Sequence, residues 1–495
     1  MPSIAIATLG CKLNQLESEA IAASFKAEGF SLVPWPAAAD ILVINTCTVT
    51  SKAEQKARRI IRKALKDSPD SLLIVTGCYA QLDGPALAAL EGELSGELPS
   101  PERRRLVVVP GDLKSALLGL PRRLGAAKAS EGPSPKDTAG GMGAIRLEAG
   151  LEKWREGPAV RDPFIFNSGD FSFHSRSFLK IQDGCDHACS YCRVTLARGK
   201  SVSLESGTAL TRLRELEDRG YGEMVLTGVN INQYRDAGGQ EGDLRDLPGL
   251  LDFLLRGTSR IALRLSSLDP QGVSPELLAV LKNPRIRPHF HLSVQSGSGE
   301  ILKRMRRWYA PEDVAAAVQG LRSCREDPFM ACDIIAGFPG ETGAEFQQTY
   351  DLCKSLDFAW IHAFPYSRRP GTEAAALKSS VNEADITFRV EALLNLARRG
   401  RERYARRWLG KTLEVLTEAP NDETGPYIPA VSENYLKLAV PIPDRFGGLP
   451  PGTLLRCRIA AIPPDAVERF DGIGEIVMCE SRDTANPRAT SFKNL

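Results

Sequence analysis

The stretch IATLGCKLNQLESEA, residues 6–20, decides how the first part of the chain folds. An apolar run ends at Gly10, Cys11 follows it, and a pattern with helical spacing begins at once. This order predicts a strand, a tight turn and a helix, which is the repeating unit of a parallel α/β sheet. In a nucleotide-binding sheet that turn holds glycines around a phosphate. The thiol of Cys11 therefore needs another explanation.

The same arrangement recurs at two later cysteines. Cys47 follows the apolar run ILVINT, and Cys78 follows the run LLIVTG. Because the carboxyl ends of parallel strands share one edge of a sheet, we expect the thiols of Cys11, Cys47 and Cys78 to converge there. Three thiols without a fourth ligand suit a metal or an iron–sulfur cluster that keeps one open position. The alternative is that they are buried structural cysteines, which are common in α/β sheets.

A compact cysteine triplet lies in DGCDHACSYCRV, residues 183–194. Cys185, Cys189 and Cys192 have the spacing C-x3-C-x2-C, and they follow a strand-like run. Thiolates this close on one loop can bind three irons of a cubane cluster and leave the fourth iron for another ligand. Zinc with His187 as the fourth ligand, or a redox role, is the alternative.

Composition and periodicity divide the chain into five segments and predict an α/β protein. Strands and helices alternate in residues 1–122, which predicts a parallel-sheet domain. Residues 123–176 are rich in Gly, Ser, Pro and Ala and are expected to form a flexible linker or insertion. The alternation returns in residues 177–409 as a full or partial barrel of parallel strands. Short strands between Pro/Gly turns predict a small β-barrel over residues 410–480, followed by a polar tail, 481–495.

The overall composition restricts the class of protein. The chain has 495 residues, 43% of them hydrophobic, and a net charge of only +2, so any nucleic-acid surface must be a local cluster. It has no apolar run long enough for a membrane span and no signal-peptide pattern at its start. Eleven cysteines in a chain of this size favour a reducing compartment. We therefore expect a cytoplasmic protein that does not enter the membrane.

Several strings occur in a fixed order along the chain: TLGCKLNQLESE, NTCTVT, TGCYAQ, QDGCDHACSYC, LTGVN, RLSSLDP, HLSVQSGS, LKRMRR and DIIAGFPGET. In this order they resemble the radical S-adenosylmethionine (SAM) methylthiotransferases, over nearly the whole chain except the linker and tail. The resemblance implies a flavodoxin- or Rossmann-like methylthiotransferase N-terminal domain and a partial (β/α) radical-SAM barrel. It also implies a C-terminal RNA-binding barrel of the TRAM type.

The resemblance further implies the cofactors and the candidate SAM contacts. Each cysteine triad would hold one 4Fe–4S cluster. The triplet cluster would cleave one SAM to a 5′-deoxyadenosyl radical, and the N-terminal cluster would present a sulfur that a second SAM methylates. Tyr191 would lie near the adenine of SAM. Gly228, Ser267, Gln295 and Asp333 follow later barrel strands and are the other SAM-binding candidates, although each is alternatively a cap or turn residue.

The substrate follows from the branch of the family. TLGCKLN, GCYAQ, QDGC and FPYSRRPGTEAA most resemble the MtaB type, which implies 2-methylthiolation of N6-threonylcarbamoyladenosine at tRNA position 37. The alternatives are isopentenyladenosine at the same position, a ribosomal protein, or, in another class, a non-enzymatic iron–sulfur RNA-binding protein. The implied partners are a tRNA anticodon stem-loop and an electron donor such as flavodoxin or ferredoxin. Asp186 and the run Arg193-Val194-Thr195 depart from the family pattern.

Basic stretches are candidate RNA contacts. The segment LARRGRERYARRW, residues 396–408, is expected to lie in a basic helix spanning 396–411, directly before the small barrel. A second stretch, Lys303 to Arg307, precedes two aromatic residues. A solvated helix face is the alternative for both. The RNA-binding candidates all come from the first stretch: Arg398, Arg399, Arg403, Arg406 and Arg407.

Overall fold

The computed structural model describes residues 1–96, 104–124, 162–167, 176–236, 245–378, 381–420, 427–441, 449–462 and 470–479. Most of the predicted linker and all of the predicted tail lie outside these residues. The chain is an α/β protein with an N-terminal parallel sheet, a partial barrel and a small closed β-barrel, so the predicted fold class is confirmed. In the described part of the chain, no helix is long and apolar enough to cross a membrane.

The N-terminal sheet contains five parallel strands: β1 (Ser3–Thr8), β2 (Ser31–Leu32), β3 (Ile41–Thr46), β4 (Leu72–Gly77) and β5 (Leu106–Val108). Their order, β2-β1-β3-β4-β5, is that of a flavodoxin-like sheet, whose order reverses between β1 and β3. All residues of β3 and β4 are buried, which explains their continuous apolar runs. Four helices surround the sheet: α1 (Lys12–Ala27), α2 (Ser51–Asp67), α3 (Cys78–Ala88) and α4 (Leu90–Ser95). A 3-10 helix covers Gly111–Leu118.

The middle part has ten strands: β6 (Ser177–Lys180), β7 (Gln182–Asp183), β8 (Val202–Ser203), β9 (Glu223–Thr227), β10 (Arg235–Asp236), β11 (Arg245–Asp246), β12 (Ala262–Leu265), β13 (His289–Gln295), β14 (Phe329–Ala336) and β15 (Trp360–Pro365). Two parallel sheets, β6-β9-β12 and β13-β14-β15, are joined by single bridges from Leu263 to Ile286 and from Leu268 to Leu292. Six strands therefore follow one another around a partial barrel. The remaining strands form two short antiparallel pairs, β7 with β8 and β10 with β11.

Helices cover the outside of this barrel, and apolar side chains from both layers form its core. Leu226, Leu263 and Leu292 on the strands are fully buried with Leu213 and Leu250 on the helices. The helices of this part are Val194–Arg198, Ser206–Asp218, Leu247–Gly257, Pro275–Leu281, Gly299–Arg304, Pro311–Cys324, Gly343–Ser355 and Glu373–Ala376, with 3-10 turns at Ile231–Gln233 and Pro270–Gly272.

The basic segment lies in a helix that is longer than predicted. The helix spans Glu383–Arg407 instead of residues 396–411, and the side chain of Asn382 accepts a hydrogen bond from the Asp385 backbone N–H at its start. It ends at Arg407 because Gly410, in the left-handed region, turns the chain into the next strand. The apolar residues Leu393, Leu396 and Ala397 are buried in the core, so the basic residues occupy the other faces.

The C-terminal barrel is closed by five strands: β16 (Thr412–Thr417), β17 (Tyr427–Ser432), β18 (Lys437–Pro441), β19 (Leu454–Ala461) and β20 (Gly472–Cys479). The runs TLEVLTEA, YLKLAVPI, TLLRCRIAAI and GIGEIVMC predict four of them. The fifth, β17, was not predicted, and it contains Pro429, a residue that is rare within strands. The structure shows how the proline is accommodated. Pro429 lies one residue beyond the last β16–β17 pair, and its carbonyl accepts a hydrogen bond from the Glu418 N–H at 2.7 Å.

A buried ionic cluster joins the middle barrel to the C-terminal barrel. Arg264 and Arg287 pair with Glu223 at 2.6 and 2.9 Å. Arg264 also donates to the Ser432 carbonyl at 3.2 Å, and Arg287 pairs with Glu414. Burial alone would raise the pKa of Glu223, but the two guanidinium groups bring it down to about 2. The interface therefore contains an ionised carboxylate that is fully compensated.

Candidate active site

The three N-terminal cysteines lie at neighbouring turns on one edge of the sheet. Gly10, just before Cys11, has φ of 102°, and a Cβ there would lie 2.5 Å from the Cβ of Cys47. Gly77, just before Cys78, has φ of 104° and packs directly against the backbone of Thr46. Both turns therefore require glycine to bring the cysteines together. Cys11, Cys47 and Cys78 line one cavity of about 670 Å³, here called the substrate cavity.

Asn14 fixes these turns relative to one another. Its side-chain amide donates to the carbonyls of Leu9 and Thr46 at 2.8 and 3.0 Å, so it bridges the turns that carry Cys11 and Cys47. Its side-chain oxygen accepts a hydrogen bond from Arg198 at 2.9 Å. Asn14 is completely buried, so its polar atoms are satisfied by these protein partners.

Arg198 belongs to a buried charge network that connects the N-terminal sheet with the barrel. Its guanidinium pairs with Glu17 at 3.1 Å and with Asp183 at 3.0 Å, and Lys114 and Lys180 also pair with Glu17. Burial raises the pKa of Glu17, but Arg198 and the lysines outweigh this and hold it well below its ordinary value. The network keeps a positive charge next to Cys11 and Cys78.

The second triad lies on the loop after β7. Ser190 ties this loop to the barrel, since its N–H donates to the Met305 carbonyl and its hydroxyl donates to the Arg304 carbonyl, at 3.1 and 2.8 Å. Cys185, Cys189 and Cys192 line a cavity of about 330 Å³, here called the triplet cavity.

The triplet thiols have unequal environments. Burial raises the pKa of Cys192 to about 12. Burial acts in the same direction on Cys189, but hydrogen bonds from His187 and Arg307 outweigh it and lower the pKa of this thiol. Arg307 lies 3.5 Å from the sulfur of Cys189 and is itself held by Asp269 at 2.6 Å. These charges favour a thiolate, the form that binds metal.

The sequence pattern does not predict that His187, Arg307 and Asp269 support the thiolate of Cys189. Arg307 was expected on an RNA-binding surface, but its side chain is buried in the wall of the triplet cavity. Charge runs along a sequence do not reveal which member turns inward. Arg198 and Asn14 were also missed as supports of the site, although Asn14 lies in the string TLGCKLNQLESE, which resembles a family motif.

The two cavities adjoin. Thr48 and Val194 line both of them, as do Ser267 and Asp333. The walls therefore combine the N-terminal sheet with the ends of barrel strands. The structure brings the two predicted cysteine triads to neighbouring spaces at the mouth of one barrel.

The predicted SAM contacts are distributed over these cavities. Tyr191 lines the triplet cavity and packs against apolar residues that include Phe338. Gln295, with φ of 68°, lines the same cavity, whereas Gly228 lines only the substrate cavity. Ser267 and Asp333 line both, and Asp333 lies 2.9 Å from Nε2 of His291. Their contact with SAM stays a prediction.

The predicted RNA-binding arginines do not form one free cationic surface. Arg403 pairs with Asp357 at 2.5 Å, Arg406 with Glu402 at 2.7 Å and Arg407 with Asp327 at 2.8 Å. Arg398 and Arg399 instead bond to Asn395 and form no ion pair with a carboxylate of the described residues. RNA contact stays a prediction for all five.

The donor sets fit iron–sulfur clusters. Each triad supplies three sulfurs, and a backbone N–H two residues later donates to the sulfur of Cys47, Cys185 and Cys192, each at 3.4 Å. Such hydrogen bonds tune cluster sulfurs. Among the described residues no group of His, Cys, Asp or Glu matches a site for a single metal ion. A cubane cluster binds each thiolate through a different iron, so the three cysteine sulfurs need not be close enough to bind a single ion.

Comparison with known proteins identifies the family. Residues 3–96 match the model of uncharacterized protein family UPF0004, and residues 179–353 match the radical SAM superfamily. The chain is 41% identical to the threonylcarbamoyladenosine tRNA methylthiotransferase MtaB of Treponema pallidum, over 90% of this chain and 96% of that protein. The chain belongs to the radical-SAM methylthiotransferases of the MtaB type. Family membership makes this methylthiotransferase an enzyme, which removes the non-enzymatic alternative.

Other relatives of this methylthiotransferase cover similar lengths. The MtaB protein of Bacillus subtilis is 33% identical over 88% of this chain and 90% of its own length. The tRNA-2-methylthio-N(6)-dimethylallyladenosine synthase of Jannaschia sp. is 30% identical over 90% of this chain and 89% of its own length. Among solved structures, the radical SAM methyltransferase TsrM of Kitasatospora setae is 15% identical with a TM-score of 0.45, over 76% of this chain and 77% of that one.

The match of residues 179–353 to the radical SAM superfamily supports SAM and a 4Fe–4S cluster as cofactors.

Proposed function

We propose that the protein transfers a methylthio group to carbon 2 of N6-threonylcarbamoyladenosine at position 37 of tRNA. It would use two 4Fe–4S clusters and two SAM, one as radical source and one as methyl donor. The observation that supports this is the adjoining position of the two triads, whose cavities share Thr48, Val194, Ser267 and Asp333 as walls. The names of the relatives from Treponema pallidum and Bacillus subtilis support the substrate.

The residues present would divide the work between the two cavities. Cys185, Cys189 and Cys192 would hold one cluster, and Cys11, Cys47 and Cys78 the other. When bound, the first cluster with SAM would supply radical chemistry and the second would supply sulfur. The cavity walls would exclude solvent from the reacting groups, which limits side reactions of reactive intermediates.

Charged residues would orient the groups in the triplet cavity. Arg307, fixed by Asp269 and Tyr309, would stabilise the thiolate of Cys189. Gln295, Ser267 and Asp333 offer hydrogen-bonding groups to the amino and carboxylate ends of SAM. The tRNA anticodon stem-loop would approach from the side of the C-terminal barrel, and a flavodoxin or ferredoxin would deliver the electron. With these partners, the reaction would take place in the cytoplasm.

The test is an anaerobic assay with cluster-reconstituted protein, SAM, reductant, sulfide and tRNA that contains threonylcarbamoyladenosine. We expect the 2-methylthio nucleoside in digests of that tRNA by mass spectrometry. Two substrates serve as comparisons: tRNA that contains isopentenyladenosine, and ribosomes. The proposal is wrong if the protein cleaves SAM but modifies none of the substrates, and the substrate assignment is wrong if either comparison substrate is preferred.

A further inference from the structure

The substrate cavity is strongly basic and lies where all three parts of the chain meet. Lys12 comes from the N-terminal part, His289 and Trp360 from the barrel, and Tyr435 from the C-terminal barrel. Four basic side chains and one carboxylate line the cavity. The basic residues are Lys12, Arg198, Arg401 and Lys437, and the carboxylate is that of Asp333. The cavity volume of about 670 Å³ is within the range of small-molecule sites.

Two of these four basic side chains are already compensated by carboxylates. Arg198 pairs with Glu17 and Asp183, and Arg401 pairs with Asp471 through a contact of 2.7 Å. Lys12 and Lys437 form no ion pair with any carboxylate of the described residues. Lys437 is exposed, whereas Lys12 is half-buried. Lys12 is the first residue of α1, a helix of 16 residues with no acidic residue in its first turn. The helix dipole adds to the positive potential at this point.

Two buried polar groups of the cavity wall also have no partner. Nδ1 of His289 and the hydroxyl of Ser266 make no hydrogen bond within the described part of the chain, and both residues are more than nine-tenths buried. The ring of His289 is fixed by stacking on Tyr435, with the ring centroids 4.0 Å apart. Because buried polar groups are normally satisfied, these atoms indicate a polar ligand in the cavity.

We infer that the substrate cavity takes an adenosine whose N6 substituent ends in a carboxylate, and that the ammonium of Lys12 binds this carboxylate. This inference rests on the proposed function, and it assigns the recognition of the N6 substituent to Lys12. An uncompensated cation at a helix N-terminus matches an anion, and the unpartnered groups of His289 and Ser266 match the polar atoms of the base and its substituent. Trp360 and Phe329 provide aromatic surface for the adenine. An apolar N6 substituent would leave Lys12 without a partner, which disfavours it.

The test compares two anticodon stem-loops that differ only in the carboxylate. One carries threonylcarbamoyladenosine at position 37 and the other carries its methyl ester. We expect reconstituted wild-type protein to bind the acid about tenfold to a hundredfold more tightly than the ester, the range for a hydrogen bond between charged groups. Lys12→Met should bind both at the affinity of the ester, and Lys12→Arg should retain part of the preference. Fluorescence anisotropy gives the affinities.

Controls separate charge at this site from general effects. Lys282→Met removes an exposed lysine that lines neither cavity, and it should keep the preference for the acid. Lys12→Gln, which keeps a neutral donor, is a second variant in case Lys12→Met folds poorly. The iron content of each variant shows whether the neighbouring Cys11 still holds its ligand.

The outcomes distinguish this inference from the proposed function. A preference for the acid that persists in both neutral Lys12 variants overturns the inference, and so does a wild-type protein that binds acid and ester equally. If the wild type prefers the acid through Lys12 but never forms the methylthio nucleoside, the proposed function alone is wrong. If the product forms and the neutral variants still prefer the acid, only the role of Lys12 is wrong.

Discussion

Arg198 donates a hydrogen bond of 2.9 Å to the side-chain oxygen of Asn14, and this contact connects the supports of the two cysteine triads. Asn14 follows Cys11 by three positions, and Arg198 ends the short helix that follows Cys192. Asn14 bridges the first two N-terminal turns, whereas Arg198 also holds Asp183 at the start of the triplet loop. The relative position of the triads is therefore set by buried polar contacts.

Replacement of Asn14 should loosen the N-terminal triad. Asn14→Leu keeps the size of the side chain but leaves the carbonyls of Leu9 and Thr46 and the guanidinium of Arg198 without this partner. We expect a loss of about 1–3 kcal/mol of local stability. Hydrogen exchange read by mass spectrometry should show faster exchange in the turns after β1 and β3. Asn395→Leu, at an exposed asparagine, is the matched control, and unchanged exchange in Asn14→Leu would contradict the prediction.

The two triads should be separable by mutation. Cys11→Ala should lose about four irons per chain, the content of one cubane, while reductive cleavage of SAM continues. Cys189→Ala should show the reverse, with SAM cleavage lost and the N-terminal irons kept. Iron and sulfide analysis and chromatographic measurement of 5′-deoxyadenosine give the two readouts.

A cysteine outside the triads provides the control for this pair. Cys324 is buried, lies in neither triad and donates to the backbone carbonyls of Leu278 and Gly320, so Cys324→Ala should keep all the iron and the SAM cleavage. Loss of SAM cleavage in a folded Cys11→Ala protein that retains the triplet iron would refute the separate roles.

The sequence predicts the parts of this site that depend on local pattern. Strand periodicity places Cys11, Cys47 and Cys78 at turns on one sheet edge, and the structure places all three in one cavity. Tertiary packing determines what the sequence does not reveal. Arg307 belongs to a basic run, yet it turns inward towards Cys189 because Asp269, 38 positions earlier, lies beside it. His289 and Tyr435 stack across two domains, and no local pattern encodes such a contact.

The same limit applies to the fold. The continuous apolar runs at β3 and β4 predict buried parallel strands correctly. By contrast, β17 was not predicted, and its Pro429 is compatible with a strand only at a position where its missing N–H is not needed. That position depends on the register between β17 and β16, and this register is determined by closure of the barrel and not by local sequence.

Glu223 should make the barrel interface sensitive to acid. Its folded pKa is about 2, below the ordinary value of 4.5, so the stability it contributes is complete above about pH 4.5 and is lost as the pH falls towards 2. Glu223→Gln leaves Arg264 and Arg287 without a buried counter-charge and should cost about 3–5 kcal/mol at pH 6. Urea unfolding at pH 6, 4 and 3 should show this difference shrinking with acid. A difference that stays constant over this range would contradict the assignment.

Arginines of the long helix should differ in their contribution to tRNA binding. Arg398 and Arg399 lack a carboxylate partner within the described residues, so they are available to phosphates. Each phosphate contact contributes roughly 0.7–0.9 to the slope of log affinity against log salt concentration. The double variant Arg398→Ala/Arg399→Ala should therefore reduce this slope by roughly 1.4–1.8, as measured by filter binding of tRNA over a salt series.

The paired arginines of the same helix provide the comparison. Asp357 and Asp327 already neutralise Arg403 and Arg407, so the matched variant Arg403→Ala/Arg407→Ala should change the salt slope by less than half as much. These exposed ion pairs contribute at most about 1 kcal/mol each, so their loss leaves the fold intact. Equal slope changes in both variants would mean that tRNA displaces the aspartates. The RNA surface would then extend along the helix to Arg407 at its end.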